Sequence, residues 1–458
     1  MSKEKALAYA AERRDEQLAA LIDFLRIPSI STQPERAEDV RKAADWLAAH
    51  MREAGIENVE VIPTGRHPLV YGDWLKAGDG APTVLVYGHY DVQPPDPLEL
   101  WNSPPFEPVV KDDFIYARGA ADDKGQVHIH VKVAEAFLGS VGEMPCNVKY
   151  IFEGEEESGG ESLSQYVAEN QEKLAADVVL VSDSHILSPE QPSLVYGLRG
   201  NVYYQMNITG PDHDLHSGSY GGVVDNPLNV VGHLIAKLKD ENGKVLIPGF
   251  YDKVREISDE ERALLAVKPY GEETLLAETG APAAWGEPEF TLNERIGARP
   301  TLDVHGIIGG YTGRGGKTVL PSTVHIKLSM RLVPDQDPAE IQAAFKAYIE
   351  EIMPPTMTYE IIGERGAPAV VVDLSIPAVE AAKTAYGTVF GREPIFVRGG
   401  GSIPVVSDFK QHLGLETILM GFGLPDDRIH SPNERFYLGN YYKGIETVIH
   451  FLDELGEG

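Results

Sequence analysis

The sequence predicts an α/β protein in which a separate α+β domain is inserted into a domain built on a buried parallel sheet. Three observations carry this reading. Short, nearly continuous β-type runs alternate with helical stretches up to about residue 197, as strands buried on both faces do. Beyond that point the strand-like segments alternate polar and apolar residues, which suits a sheet with one open face. After about residue 373 the first pattern returns, and an insertion accounts for the return.

Residues 3–26 place Leu7, Ala10, Leu18, Leu21, Ile22 and Leu25 at helical spacing, and Pro28 ends the run. A second helix is expected over 37–54, closed by Gly55. Strands are expected at 83–87, 147–152 and 177–181, with a helix at 126–138. In the inserted region, strands at 201–209 and 324–332 alternate with helices at 226–239 and 339–352, and a further strand falls at 357–362. Residues 244–300 are rich in Gly, Pro and Glu and carry no readable period. A helix at 377–389, a strand at 417–420 and a closing helix at 441–455 complete the chain.

Composition narrows the function classes. With 458 residues the chain is long enough for about three domains. Forty basic and 70 acidic side chains leave a formal net charge of −30, which argues against a nucleic acid or an anionic membrane as the main partner. The single cysteine, Cys146, cannot form an internal disulfide. The first twenty residues are charged and helical in pattern, and no apolar run of about 18 residues occurs, so a soluble cytoplasmic protein is expected.

The residues just past each buried strand are informative. The run 83–87 leads into Gly-His-Tyr-Asp, with His89 and Asp91 just past its end. The run 147–152 leads into Glu153, Glu155, Glu156 and Glu157, and 177–181 into Ser-Asp-Ser-His with Asp183 and His185. Open parallel sheets bind ligands at the carboxyl ends of their strands. Asp122 and Asp123 precede the helix at 126–138, where the helix macrodipole alone would explain an acid. The glutamate run alone would be a solvated loop. Together, however, these like charges repel one another unless a cation sits among them, and a divalent metal is the simplest such cation. His and carboxylate donors suit zinc, with manganese or cobalt also fitting the ligand types. A two-metal site needs a bridging carboxylate and two more ligands on either side, the last of them a second histidine.

The residues His89-Tyr90-Asp91, Asp122-Asp123-Lys124-Gly125, Glu156-Glu157-Ser158-Gly159, Asp183 and Ile429-His430-Ser431-Pro432-Asn433-Glu434 resemble, in order, the five signatures of the dinuclear-zinc aminoacylase/carboxypeptidase superfamily. Gly88–Pro94, Tyr196–Gly200, Asp214–Gly218 and Gly400–Pro404 bring the likeness nearest to its carnosinase and cytosolic non-specific dipeptidase branch. The resemblance implies a three-layer α/β/α catalytic domain (1–197 and 371–458) and an inserted ferredoxin-like lid and dimerisation domain (198–370). It implies that Asp122 bridges two ions, that His89 and Asp183 complete one site, and that Glu157 and His430 complete the other. Asp91 would orient the His89 ring, Glu156 would be the general base, and the Asp122–Asp123 bond would be cis.

In the inserted domain, His216 matches the family's transition-state histidine, which acts on the neighbouring subunit's site. Arg331 matches the arginine for the substrate's terminal carboxylate, Thr318 is a similar match, and backbone groups at Gly401 and Ser402 would contact the same carboxylate. The implied activity is hydrolysis of dipeptides or short peptides by a homodimer. An N-acyl amino-acid deacylase or desuccinylase of the same fold is the alternative, and a catalytically silent peptide-binding protein is the reading from another class. A dinuclear phosphoesterase fits the ligand order less well.

Other candidates are set aside. His128 and His130 lie two apart on a predicted helix and so face different ways. His185 has no motif match and stands only as a neighbour of the site. Cys146 lacks a histidine context for a nucleophile. The Gly399–Ser402 run lacks the lysine of a phosphate loop, and no nucleophile elbow surrounds Ser402.

Overall fold

In the computed structural model, which describes residues 2–457, the chain divides into two units. One comprises the chain up to Tyr196, Val372–Phe396 and the chain from Asp408; the other comprises Gly197–Val371 and Val397–Ser407.

The centre of the first unit is built on valine-, leucine- and isoleucine-rich strands buried on both faces. Thr83–His89 lies between Asn147–Glu153 and Val178–Val181, parallel to both, and Thr417–Leu419 runs parallel to Val178–Val181 on its other side. Antiparallel strands flank this parallel centre: Leu69–Trp74 and then Glu57–Ile62 on one side, Ser193–Leu198 on the other. Successive side chains of a strand point to opposite faces, so Val86 and Tyr87 enter different layers. Val84, Val86, Val148, Phe152, Val178 and Leu180 share one apolar cluster with the helices Ser2–Glu12, Arg14–Leu25, Ala37–Glu53, Lys124–Ser140, Pro377–Phe390 and Leu438–Glu457. Tyr87 faces the other way and packs edge-on against Phe409, whose helical turn lies against the helix Glu161–Glu169. That is a three-layer α/β/α arrangement.

Helix Ala37–Glu53 shows how local sequence sets this packing. Val40, Ala43, Ala44, Leu47, Ala48 and Met51 are buried and recur every three or four residues, while the opposite face is charged. Lys124–Ser140 is buried nearly all round because it lies in the middle of its layer, and its histidines are core residues. The single helix expected over 3–26 is two, because the chain leaves helical geometry at Arg13 (φ −113°, ψ 21°), a break that neither glycine nor proline signals. Cys146 is buried, and burial pushes its thiol up to about 12, so it is no nucleophile at neutral pH.

The second unit begins where the strand pattern changes from continuous to alternating. Gly200–Thr209 buries Val202, Tyr204, Met206 and Ile208 and turns the intervening residues outward. It lies between Thr323–Leu332 and Thr358–Ala367 in an antiparallel sheet ordered 301–309, 323–332, 200–209, 358–367. Helices Pro227–Leu238 and Pro338–Ile352 contribute Val231, Leu234, Ile341, Phe345 and Ile349 to its core, with Phe345 stacked on Tyr204 at 4.2 Å. Both helices start at a side-chain cap followed by proline, Asn226-Pro227 and Asp337-Pro338. The resulting β-α-β-β-α-β order is the ferredoxin-like one.

The stretch 244–300, unreadable by period, holds three short helices, Asp259–Ala266, Glu272–Thr279 and Leu292–Gly297. Phe250 ties it into the unit's core, and the bidentate Arg299–Glu287 pair braces the stretch internally. Residues 397–407, which the sequence groups with the first domain, cluster with this unit instead. The reason is a set of tertiary hydrogen bonds: Arg199 N–H donates to the Gly401 carbonyl, its guanidinium donates to the Gly400 carbonyl at 2.9 Å, and Ser402 Oγ donates to the Arg199 carbonyl. Among the described residues, no helix is long and apolar enough to cross a membrane.

Candidate metal centre

Strand order decides where polar groups can gather. From Thr83–His89 the chain crosses through helix Lys124–Ser140 to the strand on one side, and from there to Val178–Val181 on the other side. Connections that leave in opposite directions open a crevice at the carboxyl ends of the strands. His89 is the last residue of the central strand, Glu156 and Glu157 form a short turn after Asn147–Glu153, and Asp183 comes just after Val178–Val181. The turn carrying Asp122 can approach because Gly88 has no side chain: a Cβ there would lie 2.8 Å from Asp123 Oδ2 and 2.6 Å from Val127. The Asp122–Asp123 peptide bond is cis.

The geometry centres on Asp122. Its Oδ1 lies 3.1 Å from His89 Nε2, and its Oδ2 lies 2.9 Å from His430 Nε2. Asp183 Oδ2 is 4.0 Å from His89 Nε2, and Glu157 Oε1 is 3.2 Å from His430 Nε2. Two three-residue donor groups result, His89-Asp122-Asp183 and Asp122-Glu157-His430, each with its ligand atoms within 4.8 Å of one another. On the far side of the His89 ring, Nδ1 lies 3.1 Å from the Asp91 carbonyl and 3.4 Å from its carboxylate, whose other oxygen accepts from the Glu157 N–H at 3.1 Å. Asp91 therefore holds the histidine mainly through its main chain, and its side chain steadies the glutamate turn.

The charges explain why these residues suit a cation. Burial, together with the charge of Asp122, pushes the Asp183 carboxyl up to about 7. Burial and the carboxylates of Asp183, Glu157 and Asp122, opposed by His89, hold Glu156 well above the usual carboxylate range. Burial alone would also raise Asp122, but hydrogen bonds from His430 and His89 hold it far below its ordinary value. His430, hydrogen-bonded to Asp122 and Glu157, is raised to about 10. Protons are thus retained by groups whose common remedy is a divalent ion: two imidazoles and three carboxylates are a donor set for zinc, manganese or cobalt. The residues fit two such ions.

The groups expected in the inserted domain form two smaller clusters within the second unit. His216 is exposed at the end of the two-residue strand Leu215–His216, paired with Val319–Leu320, and the carbonyl of Thr318 accepts from the Ser217 N–H. His216 Nδ1 accepts from the Gly218 N–H at 2.9 Å, so the neutral ring carries its proton on Nε2. Arg331, half-buried on Thr323–Leu332, donates to Ser402 Oγ at 2.8 Å, which brings it together with Gly401 and Ser402.

Sequence reasoning passed over several residues here. Gln93 Nε2 donates to Glu157 Oε2 at 2.7 Å. Lys124 is buried and donates to the Phe24 and Ile27 carbonyls at the end of helix Arg14–Leu25. Arg199 shares a carbonyl-lined setting beside Arg331, with no carboxylate bonded to it among the described residues, and burial and the Arg331 charge lower it to about 10. Glu434 accepts hydrogen bonds around the Asp122 turn. Gln93, Lys124, Arg199 and Glu434 all lie in the motif segments, which was the available signal. His128 and His130 are core groups, bonded to Tyr441 OH and Ser182 Oγ at 2.9 Å each. His185 belongs to neither donor group.

The model of the family described as Peptidase family M20/M25/M40 matches residues 85–454. The Cys-Gly metallodipeptidase dug1 of Schizosaccharomyces pombe is 32% identical, covering 99% of this chain and 98% of its own. The human Beta-Ala-His dipeptidase is 29% identical over 99% of this chain and 93% of its own. Among solved structures, the M20 family metallo-carboxypeptidase Sso-CP2 from Sulfolobus solfataricus superposes with a TM-score of 0.88 at 32% identity, covering 97% of this chain and 100% of its own.

Proposed function

This chain belongs to peptidase family M20/M25/M40, and we propose that it is a metal-dependent dipeptidase whose centre is the pair of donor groups sharing Asp122. His89 and Asp183 would hold one ion, Glu157 and His430 the other, with Asp122 between them. The donor set favours zinc, with manganese and cobalt as possible occupants. When bound, the ions would polarise the scissile carbonyl and acidify a water. Glu156, beside ligand Glu157 and free of ligand duty, would take a proton from the attacking water as the water oxygen adds to the carbonyl carbon. It then returns the proton to the amine nitrogen as the C–N bond breaks. His216 offers its Nε2–H to the developing oxyanion across a homodimer built through the inserted domain, and Thr318 stands beside it. Arg331, with Ser402 and the Gly401 backbone, takes the substrate's terminal carboxylate. The buried lone thiol suits a cytoplasmic protein.

The observation that carries this reading is the shared carboxylate: Asp122 presents one oxygen to each histidine. Likeness to the Sulfolobus carboxypeptidase supports trimming of longer peptides as a second reading. Purified protein reconstituted with zinc or manganese should hydrolyse dipeptides in a panel that also contains N-acyl amino acids and carboxypeptidase substrates, and exhaustive chelation should abolish the activity. Cleavage of acyl-amino acids alone would replace the dipeptidase reading, and activity that survives chelation would remove the metal centre from it.

A further inference from the structure

Glu434 stands four residues after His430, just before the short strand Arg435–Tyr437, and is fully buried. Its Oε1 accepts from the main-chain N–H groups of Ala121 (3.0 Å) and Asp122 (3.1 Å). Its Oε2 accepts from the Gly119 N–H (3.1 Å) and the buried Arg118 guanidinium (2.7 Å). The Glu434 carbonyl accepts from the Ala117 N–H, and Arg118 also donates to the Pro94 carbonyl. Residues 117–123 form a turn outside any helix or strand, so their N–H groups have no ladder to join. One carboxylate supplies the acceptors that a ladder would have provided.

The loop on the other side needs an anchor as well. Arg428, His430 and Asn433 adopt left-handed φ values of 57°, 58° and 65°, which non-glycine residues keep only when surrounding contacts hold them. A buried ion pair is by itself weak grounds for a stabilising role. Here, though, two of the four donors belong to Asp122 and its immediate neighbour. We propose that Glu434 is a positioning residue of the dinuclear centre, fixing the main chain that aims Asp122 and tying the His430 loop to it. This rests on the dinuclear reading above.

The test is Glu434→Gln, titrated as whole protein with Zn²⁺ against a competing chelator. An amide of the same shape has one acceptor oxygen and sets an NH₂ against two N–H donors. Zinc affinity should fall about 10- to 100-fold, the usual cost of losing a group that orients a ligand. Glu287→Gln, which breaks the Arg299–Glu287 pair of the second unit, should lower the melting temperature and leave zinc affinity unchanged. Should Glu434→Gln fail to fold, Glu434→Asp keeps the charge, shortens the reach to the N–H groups and should weaken zinc in the same direction. A folded Glu434 variant with two ions at wild-type affinity overturns the proposal. So does equal weakening in Glu287→Gln, which makes the effect one of general stability. Wild-type protein that takes up no zinc removes the dinuclear reading itself, and the two failures are thereby told apart.

Discussion

The metal cluster and the groups assigned to grip the substrate are held in contrasting ways. His89, Asp91 and Glu434 are completely buried, and the turn bearing Asp122 is fixed from several sides by strand ends and main-chain donors. His216 and Thr318 are exposed, one on and one beside a two-residue ribbon of the second unit, and Arg331 is held by the Ser402 hydroxyl. The metal ligands stand on that buried frame, although His430 itself is exposed, so they can wait preformed for an ion, whereas the exposed groups of the second unit complete their task only when a substrate or another chain arrives. Metal uptake should therefore be a property of the first unit alone, and turnover a property of both.

The sharpest way to break that division is at Glu156. Glu156→Gln should keep both ions while kcat falls about 100- to 10,000-fold, the usual contribution of a positioned base. Near-normal kcat in that variant would end its assignment. His216→Ala should come next, with kcat down about 100- to 1,000-fold and metal content unchanged, by analogy with other oxyanion donors. Mixed with Glu156→Gln chains, it also tests the dimer. If His216 acts across subunits, exchange places both defects in one site and leaves the other intact, so activity returns. Verified heterodimers that stay silent would confine His216 to its own chain.

Arg331→Met should act on binding more than on chemistry. Loss of a charged hydrogen bond worth about 1.5–3 kcal/mol should raise KM roughly tenfold to a hundredfold for free dipeptides, and far less for C-terminally amidated ones. Equal losses for both substrates would refute a carboxylate role.

The smallest effect concerns stability and isolates the first unit's core. Burial lowers His130 from 6.5 to about 3, so between those values the unfolded chain holds the extra proton. Stability is then lost as pH falls below 6.5, by roughly 2 kcal/mol at pH 5. Denaturant melts should show that slope flattened in His130→Gln, while metal stoichiometry at neutral pH stays at the wild-type value. An unchanged slope would mean that other groups carry the acid sensitivity.

Much of this was legible in the sequence because it depends on short-range order. Periodicity in 37–54 and 201–209 reports which face of a single element is buried, and the structure has a helix and a strand there with the expected faces inward. The polar residues after each β-run needed only the rule that parallel strands open their carboxyl ends, and His89, Glu157 and Asp183 lie there. His430 was identifiable only by resemblance, since nothing local separates it from the other histidines.

What tertiary structure alone decided involves segments distant in sequence or backbone without a period. The break at Arg13 and the helices within 244–300 leave no periodic trace. Residues 397–407 join the second unit through bonds to Arg199, a partner some two hundred positions away. Asp91 turns its carbonyl, rather than mainly its carboxylate, toward His89, and Glu434 reaches back more than three hundred residues to the Asp122 turn. A sequence pattern records how each element meets solvent. Which irregular loops meet one another is set by strand order and by where their unpaired main-chain groups find acceptors, and both are fixed only once the sheet is assembled.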